Sequence, residues 1–144
     1  MLIGEFAHTL DIKKRVSLPA KFRKELGRKA VITRGLDACL FVYSAKEWAR
    51  VAENLAGLPT GQASTRNFMR LFLAGATEVD FDSLGRILIP DYLKEYAGLK
   101  EKVVITGVYK RLEIWDAVRW AGYKSEIEKQ TDMLAEKLGE IGAY

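Results

Sequence analysis

The side chains in this sequence best placed to do chemistry are basic, and they crowd one short turn. Asp11-Ile12-Lys13-Lys14-Arg15 puts two lysines and an arginine on what reads as a protruding polar turn. Such a cationic knob suits gripping phosphates or entering a DNA groove. From Asp11 to Arg34 nine basic residues stand against two acidic ones, although the whole chain carries a net charge of only +4. The stretch from Asp82 to Ile105 holds four of each sign, so the excess belongs to one region.

Other chemistries lack their parts. His8 is the only histidine and Cys39 the only cysteine. Neither a zinc ligand set nor an internal disulfide can be assembled from them. Cys39 lies in the apolar run Ala38-Cys39-Leu40-Phe41-Val42 and reads as a buried strand side chain. There is no glycine-rich phosphate loop and no nucleophile elbow. The expectation is a protein without catalytic residues, metal or cofactor, and so not an enzyme.

The turn occurs twice. Asp11-Ile12-Lys13-Lys14-Arg15-Val16-Ser17-Leu18-Pro19 reappears as Asp82-Ser83-Leu84-Gly85-Arg86-Ile87-Leu88-Ile89-Pro90, with Asp, Arg and Pro at constant spacing. The match runs back to Gly4 and Gly75 and forward through Phe22 and Leu93 to Gly27 and Gly98. After one extra residue in the second copy, Gly35 aligns with Gly107, Val42 with Ile114 and Trp48 with Trp120. What the copies share belongs to folding: each Asp can hydrogen-bond its turn backbone and each Arg can reach back to it. What they do not share is informative, because Lys13 and Lys14 face Leu84 and Gly85, so the turn itself does not require lysine.

The elements that must hold these turns can be read from the same pattern. Residues 3 to 10 and 15 to 18 alternate as strands around the turn, and Pro19 opens a helix that Gly27 closes. Strands follow near Ala30 to Arg34 and Cys39 to Tyr43, and in the second copy near Lys102 to Thr106 and Lys110 to Trp115. Ser44 and Glu47 form a capping box before a helix carrying Trp48, Val51, Ala52 and Leu55 on one stripe, which ends at Gly57. A second helix, about Ser64 to Ala74, is apolar around most of its circumference, which predicts burial on nearly every side, either through a subunit contact or by covering the chain's own core. A last helix is expected from after Asp116 to about Leu138. The organisation is then repeat 4–48, connecting helices 49–74, repeat 75–120 and C-terminal helix 121–144. With 144 residues, 49% hydrophobic, the chain suits one compact unit rather than disorder. No apolar run approaches the roughly 20 residues of a membrane span, and no secretion signal is visible, so a cytoplasmic protein is expected.

A twofold Asp-x-x-x-Arg motif, each copy followed by apolar-x-apolar-Pro, in a chain this short resembles the MraZ family over essentially its whole length. The resemblance implies two SpoVT-AbrB type domains and a β-rich α+β fold: a swapped-hairpin, AbrB-like β-barrel made from the two repeats with flanking helices. It implies a ring-like homo-oligomer that binds direct repeats in double-stranded DNA and associates with the nucleoid. It also implies repression of the cell-division and cell-wall gene cluster that includes its own gene. The family's DNA-contacting signature falls on Asp11, Lys13 and Arg15, with Asp82 and Arg86 as the second copy. The site residues expected are therefore Lys13, Lys14, Arg15 and Arg86 on DNA, with Asp11 and Asp82 as turn braces. Lys14 replaces the glycine the family often has before the motif arginine, a residue less free to take positive φ. A different class of reading is an antitoxin-like AbrB module whose main partner is a protein, with the apolar helix around Phe68 to Leu73 as its contact.

Overall fold

The computed structural model describes residues 1–143. In the first half, β1 (Leu2–Thr9), β2 (Arg15–Ser17), α1 (Ala20–Leu26), β3 (Lys29–Arg34) and β4 (Leu40–Ser44) lead into α2 (Ala45–Ala56) and α3 (Ala63–Ala74). The second half repeats the order: β5 (Thr77–Asp80), β6 (Arg86–Leu88), α4 (Asp91–Ala97), β7 (Lys102–Tyr109), β8 (Leu112–Asp116), α5 (Ala117–Glu128) and α6 (Thr131–Glu140). Pro19 and Pro90 stand at the N-caps of α1 and α4, where a missing N–H costs nothing, and Gly27 and Gly98 end them at positive φ. Ser44 accepts a hydrogen bond from the Glu47 N–H at 3.2 Å, the cap expected for α2.

The strands form a six-stranded antiparallel sheet in the order β1-β7-β8-β4-β3-β5 and a separate two-stranded ribbon, β2-β6. Both edge strands are exchanged between the halves: β1 pairs along its whole length with β7, and β5 pairs with β3. The ribbon is also shared, with Arg15 opposite Leu88, Val16 opposite Ile87 and Ser17 opposite Arg86. The sheet leaves β1 and β5 as free edges, so the closed barrel expected from the sequence is not formed. The ribbon continues neither edge and instead packs Val16 and Ile87 into the core.

Two apolar clusters sit on opposite faces of the sheet. Ala30, Ile32, Leu40, Val42, Val103, Ile105, Leu112 and Ile114 point one way, into the main core with Val16, Ile87, Phe22 and Leu93. Their neighbours Phe41, Tyr43 and Trp115 point the other way, with Cys39, and are covered by Phe72 of α3 and by Trp48 and Trp120 of α2 and α5. The central strands are buried on both faces, and that is why they read as continuous apolar runs.

The helices depart from expectation in one place. The C-terminal helix is two helices, because the chain breaks at Lys129 and Gln130. There the Thr131 hydroxyl donates to the Glu128 carbonyl at 2.8 Å and satisfies an orphan acceptor at the end of α5. The break folds Ile127, Leu134 and Leu138 around one shallow groove. The expected segment also includes Tyr144, which lies outside the described residues. Within one chain α3 buries only Phe72, while Phe68 and Leu71 remain 38% and 56% exposed. Periodicity marks such a helix as apolar but cannot say what covers it.

Val16 and Ile87 are the pins that hold the ribbon down, at 1% and 0% exposure. Ile87→Ala is expected to cost about 2–5 kcal/mol, the usual penalty for such a truncation in a packed core. A shift of the urea midpoint at unchanged slope measures it.

Candidate nucleic-acid interface

Each turn is closed by its own aspartate. Asp11 Oδ1 accepts from the Arg15 backbone N–H at 2.9 Å, and Asp11 Oδ2 from Arg15 Nε at 3.2 Å. Asp82 does the same for Arg86, at 2.9 and 2.8 Å, and also accepts from the Leu84 N–H at 2.9 Å. Backbone bonds from Asp11 N to Arg15 O and from Lys14 N to Asp11 O complete the first turn, and their counterparts complete the second. These N–H donors, the Arg15 and Arg86 backbone groups foremost, hold both carboxyls below the usual aspartate range. Lys14 adopts φ 62° where Gly85 has 75°, so lysine accepts the left-handed conformation and the two turns keep one shape.

The ribbon register sets the outward face. Because Val16 and Ile87 point into the core, Arg15 and Ser17 on one strand and Arg86 and Leu88 on the other point away from it. Arg86 Nη1 also lies 3.7 Å from Asp11 Oδ2, which ties the second arginine to the first turn. Each turn is docked on the other half: Ile89 N–H donates to Lys14 O at 2.8 Å and Leu18 N–H to Gly85 O at 3.2 Å. The aspartates occupy Nε of each guanidinium. Among the described residues, the terminal nitrogens of Arg15 make no hydrogen bond, leaving the paired edge that can meet two acceptors at once.

The lysines divide. Lys13 is exposed and in no ion pair among the described residues. Lys14 is paired with Asp91 in the first turn of α4, so it is not free as the sequence suggested. Sequence reasoning passed over Arg23. Its guanidinium fills the space a side chain on Gly85 would need, and its Nε is buried without a partner among the described residues. The one signal available was that its counterpart in the second copy, Lys94, is also basic. Cys39 is buried, donates to the Leu36 carbonyl at 3.2 Å, and has its thiol pushed well above the ordinary range by burial. His8 lies on β1, away from that cluster. Among the described residues no group of three or more His, Cys, Asp or Glu side chains could hold a metal ion, and no helix is long and apolar enough to cross a membrane.

Fold and site together define a two-copy α+β protein whose halves exchange strands and share one arginine-bearing ribbon. A family model described as "MraZ protein, putative antitoxin-like" matches residues 1–71 and again 72–138. The transcriptional regulator MraZ of Halothermothrix orenii is 46% identical over 99% of both chains. That of Moorella thermoacetica is 50% identical over 96% of both, and that of Caldicellulosiruptor saccharolyticus 49% identical over 99% of both. The chain belongs to the MraZ family. A solved structure, the solution structure of PHS018 from Pyrococcus horikoshii, covers 79% of this chain, and this chain 88% of it, at 13% identity with a TM-score of 0.32, too distant to add to the argument.

Two outcomes follow from the turn geometry. A carboxylate whose folded pKa is depressed stabilises the fold above its unfolded pKa of about 4, and that contribution is lost as pH falls through the folded value. Thermal unfolding of Asp11→Asn/Asp82→Asn should therefore lie below that of the parent at pH 7, and the gap should close toward pH 2. Lys14→Gly should leave stability unchanged or raise it by up to about 1 kcal/mol, by relieving a left-handed lysine. The exposed ion pair to Asp91 that it gives up contributes little.

Proposed function

We propose that this protein is a sequence-specific, DNA-binding transcriptional regulator that uses the β2-β6 ribbon and its two turns, not a helix, to enter the major groove. The observation that carries the reading is the pair Arg15 and Arg86, set on one outward face with Nε held by Asp11 and Asp82. A guanidinium fixed in this way is prepared for a bidentate contact to guanine. Lys13, with Lys14 when it leaves Asp91, holds phosphates. The names of the relatives, all transcriptional regulators rather than enzymes, support the same reading.

One turn offers few contacts, so a single chain binds weakly. We infer a homo-oligomer, a ring in the arrangement the family resemblance implies, that engages direct repeats. Linking contacts in this way raises avidity by about 10² to 10⁴ over a single site. The bare apolar residues of α3 and α6, Leu71, Leu134 and Leu138 among them, support self-association. The exchange of β1 and β5 supports reading the repeats 4–48 and 75–120 as swapped hairpins. The target proposed is the DNA upstream of its own gene, in the cell-division and cell-wall cluster, with repression as the outcome and the nucleoid as the location.

The same exposed side of α3 favours a second reading, an antitoxin-like module whose main partner is another protein. Size-exclusion chromatography with light scattering separates the two, since a stable monomer supports the partner and an oligomer supports the regulator. For the main reading, a band shift on tandem repeats is expected to be abolished by Arg15→Ala and weakened less by Arg86→Ala. Equal loss would refute the dominance of the first turn. The parent's affinity should fall steeply between low and high salt, as binding through phosphates requires.

A further inference from the structure

The outward side of the ribbon is not uniformly charged. Ile12 is 97% exposed beside Lys13, Leu84 is 67% exposed on the second turn, and Leu88 is 55% exposed directly across from Arg15. None of the three belongs to either apolar cluster of the chain. A single exposed aliphatic residue is ordinary, but three on one small cationic ribbon form a pattern. Contacts between proteins deplete their centres of lysine, whereas here Lys13 stands directly beside Ile12, with Arg15 and Arg86 on the same ribbon. That mixture matches the floor of a DNA major groove, where the C5-methyl of thymine projects beside the paired acceptors of guanine.

We propose that Ile12, Leu84 and Leu88 read thymine methyl groups next to the guanines taken by Arg15 and Arg86. The inference rests on the DNA-binding reading and deepens it, because it names the base feature recognised. Side chains opposite one another in an antiparallel pair stand about 5 Å apart. Successive base pairs are about 3.4 Å apart, so Leu88 reaches a methyl within one or two steps of the guanine at Arg15. The turns also differ in order: Ile12-Lys13 on the first aligns with Ser83-Leu84 on the second. The two ends of the ribbon therefore select different bases, and the site read is not a palindrome.

Uracil lacks only the methyl group of thymine, and it supplies the test. A fragment from upstream of the gene is amplified with dTTP or with dUTP, and binding is followed by fluorescence anisotropy at fixed salt. Removing one recognised methyl group should weaken binding about two- to fourfold, the value of burying that group. With three methyl groups lost, the parent protein should therefore bind the uracil fragment about ten- to sixtyfold more weakly, with an unchanged salt slope. The variant Ile12→Ser/Leu84→Ser/Leu88→Ser, altered only at exposed positions and checked for folding by circular dichroism, should bind both fragments alike, at about the parent's affinity for uracil DNA. Equal binding of both fragments by the parent overturns the proposal and leaves DNA binding intact. So does a variant that keeps the thymine preference but changes oligomeric mass, which would assign these residues to self-association. Failure of the parent to bind either fragment overturns the DNA reading itself.

Discussion

A three-residue antiparallel pairing governs the rest of this molecule. Arg15–Ser17 and Arg86–Leu88 come from opposite halves of the chain, and side chains on a strand alternate between faces. Once Val16 and Ile87 are driven into the core, their neighbours have no choice of direction. Hydrophobic burial at two positions thus aims both arginines outward, and a slip of one residue would bury them instead. The aspartates then convert direction into orientation. Each binds the backbone and Nε of its own arginine, so among the described residues the Arg15 guanidinium is held at one edge and open at the other, while Arg86 keeps a further contact from Nη1 to Asp11.

The pairing also makes the two halves mutually dependent. Neither half can complete the sheet alone, because β1 borrows β7 and β5 borrows β3. Neither turn is self-supporting, because Lys14 O and Gly85 O accept from residues of the opposite copy. Duplication here therefore gives one site with a pseudo-twofold frame and an uneven surface. The frame residues are shared, whereas Lys13, Lys14 and Arg28 have uncharged counterparts in the second copy. Even so, Arg86 touches Asp11, so the charge of the first turn is felt at the second arginine.

The outer face of the sheet shows a different balance. Phe41, Tyr43, Trp48, Phe72 and Trp115 fill it with aromatic contacts, among them Trp48 to Phe72 at 5.4 Å between ring centres. Arg111 stacks on Phe41 at 4.0 Å and is paired with Glu113, so a charge is carried over this cluster without being buried unpaired. Thr33 donates to the Phe72 carbonyl at 2.7 Å and ties α3 to the sheet at its last turn. The helix is fastened along one line only, which is why so much of its apolar surface remains bare.

The sequence alone was enough for the repeat, the element order of each half, the proline and glycine limits of α1 and α4, and the aspartate-braced turns. All of these depend on interactions between residues close along the chain, and local chemistry records such interactions directly. It carried no mark of which strands would be exchanged, of the sheet remaining open, of Lys14 being taken up by Asp91, or of Arg23 lying beneath Gly85. Those contacts join residues far apart in sequence. Only the closing of the two halves onto a common core, which minimises exposed apolar surface for the chain as a whole, determines them.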